Sequence, residues 1–373
     1  MRIALIVTGG VDASARDRVV PALLWLIERL ARRHDLHVFA LHYHRKPMSY
    51  PLLGATVHDL GRVDGPPGFR RLRVAARLRR AVSAHGPFDL LHAYWGMPGI
   101  VATRVGRDLG IPVIVTLDSG ELVAIDDIGY GLQRRWIDRR MVAGMLRDAA
   151  RVTVCTRYQA SMPALGGRAV DVVPIGIDTA LFPVALRAEG PPWRLLRVAS
   201  LNAVKDYPTL LRAMASIVSQ LPDAHLDIVG EDTLNGAVQA QCRALGVHEH
   251  VTFHGVQPSD ALGRRFYGRA HVHVVSSRHE AASVAMLEAA SADVPTVSTR
   301  VGYAADWERD GRAIAVPVGD ADALAAATVA LIRDRERRAQ IAAAARVWAI
   351  AHDADWTAAE FCRLYNDARG LGD

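Results

Sequence analysis

The chain has 373 residues, of which 50% are hydrophobic and 23% charged, a composition that excludes a disordered or fibrous protein. Because one domain usually holds about 100–200 residues, this length predicts two domains. Cys155, Cys242 and Cys362 lie far apart, which excludes a disulfide framework or a Cys-x-x-Cys metal site and indicates a reducing, cytoplasmic environment. No apolar run reaches the roughly 18 residues that a membrane-spanning helix needs.

The positive charge is concentrated in the first half of the chain. The net charge is +6, but residues 1–185 hold 25 Lys+Arg against 16 Asp+Glu, whereas residues 186–373 hold 20 against 23. Such an excess indicates an anionic partner, for which acidic lipid, a phosphorylated acceptor and nucleic acid are the alternatives. Because no basic run is interleaved with aromatic residues, we expect no nucleic-acid binding.

Short apolar runs alternate with helical patterns along the chain. The first run, RIALIV, leads into glycines, which predicts a strand rather than a signal peptide. The other runs are LHVFAL, DLLHA, PVIVTL, RVTVC and VDVVP, then LLRVASL, HLDIVG, HVTFHG, HVHVVSS and VPTVST. Continuous apolar runs between helices are typical of parallel strands covered on both faces, so we predict an α/β fold with two doubly wound parallel sheets.

A proline-rich segment separates the two groups of strands. The sequence PIGIDTALFPVALRAEGPPW contains four prolines and little helical periodicity, as expected for a linker. We therefore predict an N-terminal domain over residues 1–185 and a C-terminal domain over residues 186–350. Residues 351–373 read as an amphipathic helix that crosses back to the first domain.

A loop of small residues follows the first strand. Thr8, Gly9 and Gly10 stand at its carboxyl end, where open α/β sheets bind ligands. Glycine lets backbone and ligand approach closely, and a plain left-handed turn is the alternative. The loop lacks a Gly-x-Gly-x-x-Gly pattern, which argues against a nucleotide-dependent dehydrogenase.

A cationic helix is predicted within FRRLRVAARLRRAV. A stripe of arginines lies on one face of this helix, opposite Leu72, Ala75, Leu78 and Val82; it comprises Arg70, Arg73, Arg77 and Arg80. Such a helix covers a domain with a solvated arginine face, or it docks on anionic lipid headgroups. The first interpretation is the simpler one, and the second would place the protein at the inner face of the membrane.

Two segments of the second half bear residues suited to a diphosphate. In RVASLNAVKDYPTLLRA a strand ends near Leu201 and a helix starts near Pro208, so that Lys205 lies in the loop. In SSRHEAASVAMLEAASADVPTVSTRVGYAADW, Ser283 is a plausible N-cap of a helix that begins near Val284. The free N–H groups of that helix start, and its dipole, suit a diphosphate.

Glu280 and Glu288 stand eight residues apart in that second segment. Glu280 falls in the turn before the helix, where it can reach sugar hydroxyls, and Glu288 falls inside the helix, where it can reach ribose hydroxyls. The simpler alternatives are a solvated helix face for the two carboxylates and a solvated loop for Lys205.

This stretch resembles the C-terminal signature of the family-4 retaining glycosyltransferases, and nearly the whole chain is compatible with them. The resemblance implies the GT-B fold, with two Rossmann-like domains facing a cleft, the nucleotide-sugar donor on the second domain and the acceptor on the first. It implies that Glu280 binds the donor sugar, that Glu288 binds the ribose and that Lys205 clamps the pyrophosphate. It also implies that backbone near Gly255 and Val256 contacts the base.

The resemblance extends to the strand ends of the first half. FDLLHAYWGMPG and PVIVTLDSGEL are similar to the cleft-lining segments of the family, which points to His92, Trp95 and Asp118, with Gly9, as acceptor-binding residues. Asp118 replaces the usual histidine beside the transferred sugar, so that its role as a helix cap is an alternative to a role in catalysis.

The donor segment also departs from the family. Ser200 stands where the family has a second cationic clamp, an arginine, and Asn202 follows it closely. Both side chains donate hydrogen bonds but carry no charge. The residues expected to bind the donor are Gly10, Ser200, Asn202, Lys205, Gly255, Val256, Glu280, Ser283, Val284 and Glu288.

The sequence offers no convincing metal site. Three histidine pairs have a spacing that shares one face of a strand: His42 and His44, His248 and His250, and His271 and His273. Zinc requires three or four converging ligands, and no third ligand is evident. We therefore expect neither metal nor cofactor.

The expected function is a retaining, metal-independent transfer of a sugar from a UDP- or GDP-sugar, as in polysaccharide biosynthesis. Glu280, Lys205 and Asp118 are the expected catalytic residues, and the acceptor is a glycan, a lipid-linked sugar or a small molecule. The alternatives are a nucleotide-sugar epimerase of the same architecture and a catalytically degenerate nucleotide-sugar-binding protein.

Overall fold

The computed structural model describes residues 1–370, which divide into two α/β units. The first unit comprises Met1–Ile175 together with the chain from Ala354 onward, and the second comprises Gly176–Asp353. The division falls ahead of the boundary predicted near residue 185, because the segment after Ile175 packs on the second unit. In that segment, the carbonyl oxygens of Thr179 and Phe182 accept hydrogen bonds from the Ser291 hydroxyl.

The strands of the first unit form one sheet. They are β1 (Arg2–Val7), β2 (Asp35–Ala40), β3 (Met48–Leu52), β4 (Ala55–Asp59), β5 (Leu90–Tyr94), β6 (Val113–Leu117), β7 (Arg151–Val154) and β8 (Asp171–Val172). Their order is β3-β4-β2-β1-β5-β6-β7-β8, and all neighbours are parallel except β3 and β4. The β3–β4 hairpin was not predicted, because its short strands are partly exposed and lack a continuous apolar run.

The helices of the first unit cover this sheet. They are α1 (Pro21–Ala31), α2 (Pro67–His85), α3 (Gly96–Leu109), α4 (Trp136–Asp148), α5 (Arg157–Ala160) and α13 (Ala354–Ala368). Helix α13 returns to the first unit as predicted: Arg29 of α1 forms an ion pair with Asp355, and the Thr357 hydroxyl donates to the Pro174 carbonyl oxygen.

The second unit is built around an all-parallel sheet. Its strands are β9 (Trp193–Val198), β10 (Ala224–Val229), β11 (Val251–Phe253), β12 (Val272–Val275), β13 (Thr296–Thr299) and β14 (Ile314–Val316), in the order β11-β10-β9-β12-β13-β14. Its helices are α6 (Tyr207–Gln220), α7 (Ala237–Ala244), α8 (Ser259–Arg265), α9 (Val284–Ser291), α10 (Tyr303–Trp307), α11 (Ala321–Arg333) and α12 (Arg335–Ala351).

The two sheets confirm the prediction of two doubly wound parallel arrangements. Every apolar run singled out in the sequence forms a strand, and most of these strands are buried because helices pack on both faces, whereas the short edge strand β8 is partly exposed. In each sheet the strand order reverses beside the first strand, between β1 and β5 and between β9 and β12. Ligands of open α/β sheets bind at the carboxyl ends of the strands at such reversals.

Candidate active site

Two loops of the second unit meet at the carboxyl ends of β9 and β12. The first loop contains the short helical turn Ala203–Lys205. The second loop is fastened to it by two hydrogen bonds: the Ser276 hydroxyl donates to the Lys205 carbonyl oxygen at 2.8 Å, and the Arg278 N–H donates to the Val204 carbonyl oxygen at 2.8 Å. The neighbouring position of β9 and β12 therefore joins two segments that lie far apart in the sequence.

Lys205 and Glu280 form a close ion pair between these loops. The Lys205 ammonium donates to both carboxylate oxygens of Glu280, at 2.7 and 2.9 Å, and the Ser277 hydroxyl donates to Oε1 at 2.6 Å. Burial by itself raises the pKa of Glu280, but the charges of Lys205 and Arg197, with these hydrogen bonds, outweigh it and lower the pKa below its usual range. Glu280 is therefore ionised at neutral pH.

Arg197 also lies beside this ion pair, although the sequence analysis did not single it out. It lies within β9 and is only 1% exposed. Its guanidinium donates to the Ser277 hydroxyl at 2.8 Å and lies 3.9 Å from Glu280 Oε1. An arginine inside the apolar run LLRVASL was the signal, because a buried charge needs a partner.

Glu288 lies in helix α9 and has fewer polar partners than Glu280. It is 6% exposed and accepts a hydrogen bond of 2.7 Å from the hydroxyl of Tyr267, a residue that the sequence analysis also missed. Burial raises the pKa of Glu288 to about 7, against the opposing effect of the Tyr267 hydrogen bond. Its charge therefore changes near neutral pH.

The start of α9 confirms the predicted helix boundary but not the predicted cap. The helix begins at Val284, and Ser283 occupies the N-cap position without a capping hydrogen bond from its side chain. Ser283 has φ of +87°, a conformation that is costly for a residue with a Cβ atom. The backbone here turns so sharply that Ser283 no longer adopts the extended conformation a capping serine uses.

The glycine at Gly302 supports this turn from the neighbouring loop. A Cβ atom there would lie 2.6 Å from the Ala282 carbonyl oxygen and 3.0 Å from Glu280 Cβ. The adjacent Tyr303 donates its N–H to that same carbonyl oxygen. Close backbone packing therefore fixes the turn between Glu280 and α9.

The remaining residues expected at the donor site follow the carboxyl ends of β9 and β11. Ser200 and Asn202, at the end of β9, are half-buried, and the Asn202 side-chain oxygen has no hydrogen-bond partner among the described residues. Gly255 and Val256 follow β11 and are exposed. The Gly255 carbonyl oxygen accepts a hydrogen bond of 2.9 Å from the Gly230 N–H, which holds that loop beside the end of β10.

In the first unit, Gly9, Trp95 and Asp118 follow three adjacent strands, β1, β5 and β6. Gly10 has φ of +80°, and a Cβ atom there would lie 2.7 Å from the Val20 side chain, so the turn itself requires glycine. Trp95 has φ of 75° and ψ of 163°, a backbone region used almost only by glycine. Asp118 is half-buried and accepts a hydrogen bond from the Cys155 thiol at 3.4 Å.

The structure places His92 in the core, which corrects its prediction as an acceptor ligand. It is fully buried, and burial lowers its pKa to about 3. Its ring nitrogens lie 2.7 Å from the Tyr365 hydroxyl and 2.8 Å from the Thr116 hydroxyl. Position 92 lies within β5 rather than after it, so its side chain points into the packed interior instead of toward a ligand.

A cavity of about 580 Å³ opens beside these strand ends. Its lining includes Thr8, Trp95, Gly96, Ser119, Glu121, Tyr130, Arg134 and Arg135. The buried carboxylate of Glu121 accepts the N–H groups of Gly96 and Ser119, both at 2.8 Å; burial raises its pKa, against the effect of these hydrogen bonds. Neither Glu121 nor Arg135 was singled out in the sequence, because nothing in the local pattern marks them.

The arginine stripe of α2 is partly used within the first unit. Arg77 donates to the carbonyl oxygens of Leu60 and Gly61, and Arg73 donates to that of Asp64. Arg70 and Arg80 are exposed. The stripe is therefore split, with two members holding the loop that precedes α2 and two facing solvent.

The described part of the chain has neither a group of metal ligands nor a membrane-spanning helix. Over residues 1–370, no set of three or more His, Cys, Asp or Glu side chains is grouped so that it could hold a metal ion. Within the same residues, no helix combines the length and the apolar character needed to cross a bilayer.

Comparison with protein families gives two matches that together cover most of the chain. The model for a glycosyl transferase 4-like domain matches residues 19–177, and that for glycosyl transferases group 1 matches residues 180–348. The chain belongs to the group 1 glycosyl transferases. The second match contains Lys205, Glu280 and Glu288, so the resemblance stated from the sequence is confirmed.

Similar curated proteins act on inositol compounds. The chain is 28% identical over 287 residues to D-inositol 3-phosphate glycosyltransferase from Segniliparus rotundus, a match that covers 69% of this chain and 62% of that protein. It is 28% identical over 318 residues to phosphatidyl-myo-inositol mannosyltransferase from Mycolicibacterium smegmatis, covering 81% and 78%. These relationships support glycosyltransferase activity for the chain.

Solved structures show the same fold at lower identity. Sucrose-phosphate synthase from Thermosynechococcus elongatus matches with a TM-score of 0.82, 18% identity and full coverage of both chains. Anabaena HepE in complex with UDP-glucose matches with a TM-score of 0.73 and 18% identity, covering 97% of this chain and 99% of that one. The predicted GT-B fold is thereby confirmed.

Proposed function

We propose that this glycosyltransferase moves a sugar from a UDP- or GDP-sugar to a hydroxyl group of a phosphate-bearing acceptor, with retention at the anomeric carbon and without a metal ion. The Lys205–Glu280 pair beside the start of α9 carries the proposal. In the reaction the bond from the anomeric carbon to the diphosphate oxygen breaks, a bond from that carbon to the acceptor oxygen forms, and the acceptor hydroxyl's proton passes to the departing diphosphate.

On the donor side, the proposal rests on fixed charges and dipoles. Lys205 and the free N–H groups at the start of α9 face charge that grows on the departing diphosphate, which is the arrangement that stabilises a transition state. Glu280, held ionised by its neighbours, accepts hydrogen bonds from sugar hydroxyls. Glu288 is assigned to the ribose, as the family resemblance implies.

On the acceptor side, the proposal places the acceptor in the cavity lined by Trp95, Tyr130 and Arg135. Aromatic rings suit the apolar face of a sugar or polyol, and an exposed arginine suits a phosphate group. The relatives named above for inositol 3-phosphate and phosphatidyl-myo-inositol support a phosphate-bearing polyol. Asp118, next to Ser119 of the cavity wall, is proposed to contact the acceptor or the transferred sugar.

An acceptor panel tests this function against its alternatives. Purified protein is incubated with UDP- and GDP-sugars, each with inositol phosphates, phosphatidylinositol and simple glycans, and products are separated by mass spectrometry. Transfer that requires both donor and acceptor supports the proposal. Isomerised donor in the absence of acceptor would instead indicate an epimerase, and tight donor binding without turnover would indicate a binding protein.

The role of Glu280 is tested with a matched pair of substitutions. Glu280→Gln removes the charge while preserving shape, and we expect kcat to fall about a hundredfold or more, because the interaction acts on the reacting sugar. Glu308→Gln is the control, since Glu308 pairs with Arg300 at the surface of the same unit. Turnover by Glu280→Gln within a few-fold of the Glu308→Gln protein would refute the assignment.

We further propose that the first unit contacts an anionic membrane through the surface formed by α2, α3 and α4, named here the α2–α4 surface. Large apolar side chains are exposed on it: Phe69, Leu72, Trp136 and Ile137. Leu72 and Ile137 line a groove of about 420 Å³. Exposed arginines lie on the same three helices, and they include Arg70, Arg80, Arg104, Arg139 and Arg140.

This arrangement supports insertion of apolar side chains with arginines at the headgroups. It also revises the sequence-based expectation, because Arg73 and Arg77 are engaged by the chain itself while arginines of α3 and α4 join Arg70 and Arg80. The contact is therefore attributed to three helices rather than to one.

Sedimentation with vesicles tests the membrane proposal. We expect binding to phosphatidylcholine vesicles only when phosphatidylglycerol is included, with weakening at high salt. The double variant Leu72→Ser, Trp136→Ser is expected to lose binding, and Val347→Ser, an equally exposed apolar site in the second unit, is the control. Equal pelleting of both variants, or none by the parent protein, would overturn it.

A further inference from the structure

Arg197 is a charged residue enclosed in the core of the second unit. It lies between Leu196 and Val198 in β9 and is 1% exposed. Taking a guanidinium out of water is costly unless it is paired and hydrogen-bonded. Its described partners are the Ser277 hydroxyl at 2.8 Å, the Tyr207 hydroxyl and, at 3.9 Å, Glu280 Oε1. Among the described residues, the carboxylate that forms an ion pair with Arg197 is thus the one that also binds Lys205.

These three residues leave the site with excess positive charge. Arg197 and Lys205 contribute two positive charges and Glu280 one negative charge, all within one connected set of hydrogen bonds. Position 200, where the resembling family carries a clamping arginine, holds a serine in this chain. Without Arg197 the cluster would be neutral before any diphosphate arrived.

We propose that Arg197 is a positioning residue, which supplies from the buried side of the site the positive charge that is missing at Ser200. Through Ser277 it holds Glu280 fixed and ionised. Lys205 is therefore free to bind the diphosphate. This inference rests on the proposed function of the site. Arg197 itself does not reach the ligand, because its side chain is 1% exposed, whereas that of Lys205 is 20% exposed.

The division of labour follows from hydrogen-bond geometry. Lys205 now directs two of its three N–H groups at Glu280. A diphosphate that competes for them would leave Glu280 buried with fewer partners, a change that raises the pKa of a carboxyl group. The Arg197–Ser277 connection to Oε1 stays in place during this exchange, so Glu280 remains a charged acceptor for sugar hydroxyls.

The groups that control the ionisation of Glu280 come from several elements. Lys205 and Arg197 favour its charged form. Tyr207, at the start of α6, and His273, in β12, also interact with it electrostatically. Burial lowers the pKa of His273 to about 3, so this ring is neutral at working pH and does not substitute for Arg197.

The pH profile of transfer is the first test. In Arg197→Met we expect the acid limb of kcat to move upward by about one pH unit or more, because Glu280 loses an opposing charge, while KM for the donor changes less than in a Lys205 variant. Arg197→Lys keeps the charge and should restore most of the profile. Ser277→Ala, which retains Arg197 and the fold of β9, should show an intermediate shift. Unchanged profiles in all three variants would overturn the proposal.

An arginine introduced at position 200 gives a sharper test of whether Arg197 supplies the positive charge that is missing there. If Arg197 supplies the missing cation, the factor by which Ser200→Arg changes activity should be more favourable by tenfold or more in the Arg197→Met background than in the parent enzyme. An equal effect of Ser200→Arg in both backgrounds would show that the two positions act independently, which contradicts the proposal.

A stability measurement separates this inference from the proposed function. The melting temperatures of Arg197→Met, Glu280→Gln and the double variant form a cycle that needs no turnover. We expect the double variant to lose less than the two single losses combined, because each single change leaves a buried charge without its partner. Additive losses would overturn the Arg197 proposal even in an active enzyme, whereas a coupled cycle in a protein without transferase activity would refute only the function.

Discussion

The carboxyl ends of the strands are finished differently in the two units. In the second unit, β9 and β12 end in a set of charged side chains, Arg197, Lys205 and Glu280, whose charges do not cancel. In the first unit, the polar groups at the corresponding place are satisfied by the chain itself: His92 by Tyr365 and Thr116, and Glu121 by backbone N–H groups. Two sheets of the same kind therefore differ at their strand ends. The second unit carries uncompensated positive charge, whereas the first unit satisfies His92 and Glu121 with its own hydrogen bonds.

The two units differ in where their charged and polar side chains remain available to a ligand. Excess charge at the strand ends suits a diphosphate, a ligand of high charge that needs fixed counter-charges. The first unit instead presents a cavity with an aromatic wall and places its arginines on the outer helices. An acceptor of varied shape suits the cavity, and an extended anionic surface suits the helices.

The largest expected effect concerns the charge of the second unit. Lys205→Met should lower kcat/KM by about a hundred- to a thousandfold, because a donor of hydrogen bonds to the leaving group is lost. Steady-state kinetics with saturating acceptor measures it. The chain has one other lysine, Lys46, which is exposed, so Lys46→Met is the matched control. A fall of less than tenfold for Lys205→Met would remove the contrast between the units.

A smaller effect concerns the protonation of Glu288. Because its pKa is raised to about 7, the carboxyl keeps its proton below that pH and becomes a full acceptor for ribose hydroxyls above it. Binding of a nucleotide sugar should therefore weaken as pH falls, by about tenfold at pH 6 relative to the plateau at high pH.

Calorimetric titration between pH 6 and 8 checks this pH dependence. Nucleotide sugars keep the charge of their phosphates across that range, so the change reports on the protein. Glu288→Gln should bind more weakly and almost independently of pH. If the variant keeps the pH dependence of the parent, another group is responsible and Glu288 does not bind the ribose.

The internal hydrogen bonding of the first unit is tested by removing the Tyr365 hydroxyl. Tyr365→Phe leaves His92 Nδ1 buried without its partner, which should cost about 1–2 kcal/mol of local stability. Hydrogen exchange of peptides from β5 and α13 should accelerate, while affinity for the nucleotide sugar stays within twofold. A loss of nucleotide affinity would mean that the pair does more than close the core.

The smallest expected effect concerns strain at a feature both units share, a residue other than glycine with positive φ where a strand leads into a helix. Trp95, with φ of 75°, is an example from the first unit, and Ser283, with φ of 87°, is an example from the second. Ser283→Gly should raise the melting temperature by about 1–2 °C, since glycine adopts this conformation at less cost. Unchanged or lower stability would show that interactions of the serine hydroxyl outweigh the strain.

The sequence was most informative where the residues that form an element also determine its type. The apolar runs predicted the parallel strands, since burial on both faces demands continuous apolar residues. The start of α9 at Val284 was predicted from local signals as well. The β3–β4 hairpin was missed because its residues are partly exposed, and its pairing depends on a neighbouring strand that no local pattern reveals.

Single residues of the candidate site divide along the same line. Lys205, Glu280 and Glu288 were identified from motifs in loops and at a helix start. The role of Tyr267 was invisible, since it depends on how β12 and α9 bring a distant hydroxyl to Glu288. His92 was misassigned because the sequence does not show which residue of a strand end faces inward.

The sequence by itself determined two parallel α/β units, the order of their strands along the chain and the residue types able to bind a diphosphate. Local propensity and apolar periodicity suffice for that, because they act between residues close in the chain. Tertiary structure alone decided that Arg197 contacts Ser277 and Glu280, that Tyr267 donates a hydrogen bond to Glu288 and that His92 is a core residue. Those outcomes depend on which strands become neighbours, and burial then fixes the charge and direction of each side chain.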